Sequence, residues 1–186
     1  MAQVNGFDGP WVKKDLLEIP SDRFCETDLQ KPVVSDNRFD LVISLEVAEH
    51  LPASSADQFV ESLTGLSDFV LFSAAIPHQG GVNHINEQWQ SYWAEKFAAR
   101  QYLAFDLVRS KIWSDKKISI PYRQNIVLYA SQSRASDVKG VPANINALSL
   151  AHPELYEIRN SKSVKQALND LKMTASSKLS RMLGRN

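Results

Sequence analysis

The chain has a single cysteine, Cys25, among 186 residues. One thiol cannot close an intrachain disulfide or build a multi-cysteine zinc site, and it suits a reducing compartment. Cys25 reads as a strand or core thiol, because free cysteine is commonly buried. Long apolar runs are also missing, and none approaches the roughly 18 residues of a membrane span. The opening MAQVNGFDGPWVKK lacks the basic segment followed by an apolar stretch that marks a secretory signal. No charge of one sign dominates, since Lys+Arg and Asp+Glu both total 21. The basic excess that accompanies nucleic-acid binding is therefore absent overall. These absences point to a cytoplasmic protein with a small-molecule substrate, no nucleic-acid partner and no membrane segment.

What is present is an ordinary globular composition, 44% hydrophobic and 23% charged, in a length that allows one domain and a short appendage. Short apolar runs alternate with helical patterns, which predicts an α/β fold. Strands are expected over Gln3–Phe7 and Arg23–Thr27, with a helix from Trp11 to Leu17 between them. Phe39–Leu45 is the clearest strand, a near-continuous apolar run suited to burial on both faces. After Pro52, a helix is expected to Leu66, capped by Ser54 or Ser55 and buried through Ala56, Phe59, Val60 and Leu63. Phe69–Ala75 is a second strong strand. The polar loop IPHQGGVNHINEQ follows, then a helix with Trp89, Trp93, Phe97 and Ala98 on one side. Tyr102–Arg109 and Asn125–Ala130 read as an antiparallel edge hairpin with no helix between them. Residues 132–160 read as a linker. The stretch 161–186 reads as a basic amphipathic helix docked on protein, with an anionic membrane surface as the alternative.

The order of these segments, with FDLVISLEVAEHLP and NHINEQW as its most specific text, resembles class I S-adenosylmethionine-dependent methyltransferases of the small-molecule group. The resemblance covers about residues 3–131. It implies a Rossmann-like, mostly parallel sheet with an antiparallel C-terminal edge hairpin and a C-terminal helical appendage. Family members carry a first strand and a glycine-rich G-x-G-x-G turn before the strand matching Gln3–Phe7. None of the seven glycines here forms that pattern, so that first strand is expected to be missing. Three outcomes are open for the gap. Gln3–Phe7 could pair directly with Phe39–Leu45, another chain could supply a strand, or an edge could stay exposed and favour self-association.

Methyl transfer leaves the activation to the cofactor, so the protein binds, aligns and removes a proton. Asp8, at a strand end, could accept hydrogen bonds from the cofactor's ribose diol; the plainer reading is a turn aspartate before glycine. Asp28 could take the adenine amino group, or be a loop or cap residue. Glu46, Glu49 and His50 follow the best strand, where ligands collect in open α/β sheets. Glu46 is assigned to the cofactor, and His50 and His84 are candidate catalytic residues; Glu49-His50 could instead orient the loop or the cofactor's methionine end. His78, Asn83, Asn86, Glu87 and Trp89 are the candidate substrate wall, although such aromatics commonly belong to the core. His84 with Glu87 offers only two ligands, too few to predict a metal site.

Two functions compete. One is methylation of a small polar, sugar-like acceptor, with weak or absent cofactor binding by this chain alone. The other is a noncatalytic remnant or partner-binding subunit that does not bind the cofactor.

Overall fold

The computed structural model describes residues 3–161. The expected helix over 161–186 therefore lies almost wholly outside the described residues. By internal contacts the chain divides into Met1–Leu150 and Ala151–Asn186. In the second unit, residues 153–161 are helical. No helix among the described residues is long and apolar enough to cross a membrane.

The first unit is mixed α/β with two sheets. Strands β1 (Gly6–Asp8) and β2 (Phe24–Glu26) pair in parallel, with Asp8 opposite Glu26. A four-stranded sheet holds β3 (Val42–Leu45), β4 (Phe69–Ser73), β5 (Tyr102–Phe105) and β6 (Val127–Ser131) in the order β3-β4-β6-β5. β3 and β4 run parallel, while β6 runs against both β4 and β5. The expected hairpin is thus present, with β5 at the sheet edge.

Helices α1 (Ala56–Leu66) and α2 (Gln90–Ala98) bury one face of this sheet. Phe59, Val60 and Leu63 of α1 and Trp93 and Phe97 of α2 join Val70, Phe72, Tyr102, Val127 and Tyr129 in one cluster. The periodicity puts these positions on one helical stripe and on one side of the pleat. At its centre Phe97 stacks on Tyr129, centroids 3.8 Å apart and planes at 10°.

Several expectations are corrected. The helix expected over Trp11–Leu17 shrinks to a single 3-10 turn, Lys14–Leu16, with no buried residue. A segment with no apolar stripe to bury gains nothing from helix formation. Ser55 precedes α1 but makes no side-chain cap, because the 3-10 turn Ala53–Ser55 runs straight into the helix. Trp89 is exposed, and Ala98 lies outside the buried stripe of Trp93, Ala94 and Phe97. The connection between β5 and β6 holds two short helices, α3 (Arg109–Ile112) and α4 (Ile120–Asn125). Pro121 sits in the first turn of α4, where its missing N–H costs nothing. Cys25 lies on β2 but is exposed. In the stretch read as linker, Leu148 is fully buried and the Ala143 amide donates to Ala104 O at 2.8 Å.

The clearest expected strand is also less buried than its composition suggests. Ile43 is 61% exposed and Leu41 43%. β3 is an edge strand, and it does not pair with β1. A cleft of about 790 Å³ separates them, lined by Asn5 and Phe7 on one side, Val42 and Ser44 on the other, and Phe59 and Leu63 of α1. Of the three outcomes open for the gap, direct pairing is excluded.

Candidate functional site

Two segments that leave neighbouring parallel strands meet beyond the carboxyl ends of β3 and β4. The first runs from Glu46 through the 3-10 turn Ala48–His50. The second is the polar loop from His78 to Trp89. The backbone of Glu49 joins them, because its carbonyl accepts from the amides of both Ile85 (2.9 Å) and Asn86 (3.0 Å). Glu46 begins its segment at φ 55°, and the Glu46 amide donates to the backbone and hydroxyl oxygens of Ser73 at 3.0 and 3.1 Å. His78 and Asn83 have φ 67° and 59°. Left-handed backbone at non-glycine residues costs about 1–3 kcal/mol each and gathers at functional sites.

Glu87 ties the loop together. Its carboxylate accepts from the amides of His78 (2.8 Å) and Gly80 (2.7 Å) and lies 3.2 Å from His84 Nδ1. His50 Nδ1 lies 3.3 Å from Asn83 O. An acceptor faces each Nδ1, so the tautomer that satisfies it donates from Nδ1 and presents Nε2 as the free ring nitrogen. The two rings meet edge to face, 4.9 Å between centroids.

Glu49 is wholly buried, and neither of its carboxylate oxygens has a hydrogen-bond partner. Desolvation, and then the charge of neighbouring Glu46, push its pKa up to about 8; the amides of Glu49 and Ala75 lie near enough to pull it back weakly, though neither completes a well-aligned hydrogen bond to the carboxylate. Ligand atoms of Glu49, His50 and His84 lie within 4.8 Å of one another.

Glu46 faces a buried amide network. Gln79 Nε2 and Asn125 Nδ2 donate to its two oxygens at 2.7 and 3.1 Å, and Asn125 Nδ2 also reaches Gln79 Oε1 at 2.8 Å. Gln124 Nε2 donates to Asn125 Oδ1 at 2.9 Å, and Gln90 bridges Asn125 to Leu150 O. Behind it, Arg109 is 2% exposed and holds Asp106 through two bonds of 2.8 and 2.7 Å.

The structure thus brings His50, His84, Asn83, Glu87, Glu46 and the His78 and Asn86 backbones into one rim. The Asn86 side chain is buried. Trp89 is 42% exposed at the start of α2. Asp8 and Asp28 stand apart, with no described bond to the rim. Asp8 Oδ1 accepts from Gly9 N at 2.7 Å. Asp28 is an exposed turn residue that accepts from Gln30 N and pairs with Lys31 at 3.3 Å. Gln79, Gln124 and Asn125 were missed by sequence reasoning; the polar run Arg123-Gln124-Asn125 directly before an apolar strand was the available signal. Compared with protein-family models and with curated proteins, the chain matches none of them.

Proposed function

We propose that the chain carries a Rossmann-like, S-adenosylmethionine-dependent methyltransferase domain whose acceptor is a small, polar, sugar-like molecule. The observation that carries this reading is strand order. A doubly wound sheet of order 3-2-1-4-5 separates strands 2 and 4 by strand 1. Here β2-β1 and β3-β4 form two parallel pairs with a cleft between β1 and β3. Taken as strands 3, 2, 4 and 5, they leave the cleft at the position of strand 1, and the β6-β5 pair supplies the antiparallel hairpin.

In this reading Asp8, held by its bond to Gly9 N, presents its second oxygen to a ribose hydroxyl. Asp28 would meet the adenine, and Glu46 the methionine end of the cofactor. His50, with Nδ1 turned to Asn83 O, offers Nε2 as a proton acceptor for the acceptor hydroxyl, and His84 stands beside it. His78, Asn83, Asn86, Glu87 and Trp89 line the acceptor side. No G-x-G-x-G turn is present, so the close backbone approach to the cofactor that such a turn gives is lacking. The chain by itself is therefore expected to bind S-adenosylmethionine weakly.

Amide NMR titration with S-adenosylhomocysteine to millimolar concentration tests this. Shifts are expected at Gly9, Thr27 and Val47, and they should vanish in Asp8→Ala. A silent titration at those amides removes the cofactor reading. It would favour the second reading, a noncatalytic partner-binding subunit. The exposed apolar edge at Leu41 and Ile43 is the observation on that side.

A further inference from the structure

We propose that Glu49, His50 and His84 form a binding site for a divalent first-row transition-metal ion. Neither of the two ligand pairs in the sequence, Glu49-His50 or His84 with Glu87, makes a metal site alone. The fold changes the combination by setting the turn after β3 against the loop after β4.

Three independent features support the assignment. The first is the donor set: one carboxylate and two imidazoles, with ligand atoms within 4.8 Å of one another. A tetrahedral ion with bonds of about 2.1 Å holds its ligands about 3.4 Å apart. Ion binding would have to draw the three ligand atoms together by that difference. The second is Glu49 itself, which is 0% exposed with both oxygens lacking a donor. A carboxylate so placed needs a cation or a proton, and Glu46 beside it adds to that need. The third is the support behind the rings. His84 Nδ1 faces the Glu87 carboxylate and His50 Nδ1 faces a backbone carbonyl. Metal-binding histidines are oriented in this way by a carboxylate or carbonyl on the other ring nitrogen, which leaves Nε2 for the ion. The His84 ring packs against Gly81, where a Cβ would collide with its Nε2 edge, so a side chain at that position would displace the ring.

Imidazole with carboxylate favours zinc, cobalt, manganese or iron over magnesium or calcium. Three protein ligands leave positions open for water or an acceptor hydroxyl, whose proton the ion would loosen. In that case His50 and His84 hold the ion and do not take the proton themselves. That last use rests on the proposed methyltransferase reading; the metal site does not.

The test uses the whole chain and the metal alone. Isothermal titration with Zn²⁺ and visible absorption with Co²⁺ are expected to show one site of micromolar or tighter affinity. His84→Ala and His50→Ala should each weaken binding at least about 100-fold, and Glu87→Gln about 10- to 100-fold, the usual effect of losing an orienting partner. Glu49→Gln should weaken it likewise. Should that variant not fold by circular dichroism, Gly81→Ala, which displaces the His84 ring from outside the core, serves in its place. Cys25→Ser should leave binding unchanged. Absence of binding at millimolar Zn²⁺ and Co²⁺, or full binding retained in His84→Ala and His50→Ala, overturns the assignment. Neither result bears on the cofactor titration, so the two readings fail separately.

Discussion

The imidazole of His84 stands edge-on to that of His50, centroids 4.9 Å apart and planes at 86°. The contact joins two loops that leave adjacent parallel strands. Its geometry is set from behind, by the Glu87 carboxylate on one ring and the Asn83 carbonyl on the other. The rim is therefore a fastened structure, and its strength can be measured apart from any ligand.

Glu87→Ala should loosen this rim. The substitution removes an acceptor used by the His78 and Gly80 amides and by His84. Hydrogen bonds to a charged group contribute about 1.5–3 kcal/mol each, and partial exposure lets water replace some of them. A net loss of about 2 kcal/mol in urea unfolding is expected, with faster amide exchange at Gly80 and His84. An unchanged unfolding midpoint together with unchanged exchange would show that Glu87 does not organise the loop.

The amide network around Glu46 makes a sharper prediction. Asn125 Nδ2 donates to both Glu46 and Gln79. Asn125→Asp replaces that donor by a carboxylate facing Glu46 Oε1, whereas Asn125→Ala only deletes it. The alanine variant should lose about 1–3 kcal/mol, the cost of unpaired buried acceptors. The aspartate variant should lose more, because like charges meet in a buried setting. Equal losses in the two variants would show that no like-charge repulsion arises between positions 125 and 46.

Much of the fold was legible because its signals are local and periodic. The α1 stripe at Ala56, Phe59, Val60 and Leu63 repeats at helical spacing, and all four residues are buried. The apolar runs at Phe39 and Phe69 did become neighbouring parallel strands. Two things were not legible. Ile43 reads as doubly buried by composition, yet its exposure depends on which strands lie beside β3, and strand order is not a local property. The site was half visible: His50 and His84 were singled out, but not their meeting. Glu49 looked like an orienting residue, since nothing in the text reports that its carboxylate lacks a donor. Gln79 and Asn125 gave less signal still, because a buried amide network is defined by partners far away in the chain.

Phe97→Ala should be far more damaging than truncation of Trp89, the residue just before α2. Phe97 is fully buried, stacks on Tyr129 at 3.8 Å and meets Phe72 at 5.4 Å. Loss of a buried phenyl ring typically costs about 3–5 kcal/mol through lost transfer energy and the cavity left behind. Trp89→Ala, at the exposed start of the same helix, should cost well under 1 kcal/mol. Thermal unfolding of the two variants side by side checks the ordering. A Trp89 variant as damaged as the Phe97 variant would place Trp89 in the core after all.

The free edge of β3 should make the protein self-associate. β3 pairs with β4 on one side only, and its other side borders the cleft. Leu41 and Ile43 add exposed apolar surface there. Unpaired strand backbone beside apolar side chains is a template for another strand, and natural edges are protected by inward-pointing or edge charges. Neither residue is charged. Sedimentation velocity is therefore expected to show concentration-dependent association in the micromolar range. Ile43→Lys should abolish it while shifting stability by no more than about 0.5 kcal/mol, as for an ordinary surface substitution. A chain that stays monomeric across that range would show that the cleft closes or is shielded in solution, and the edge would then have no role in assembly.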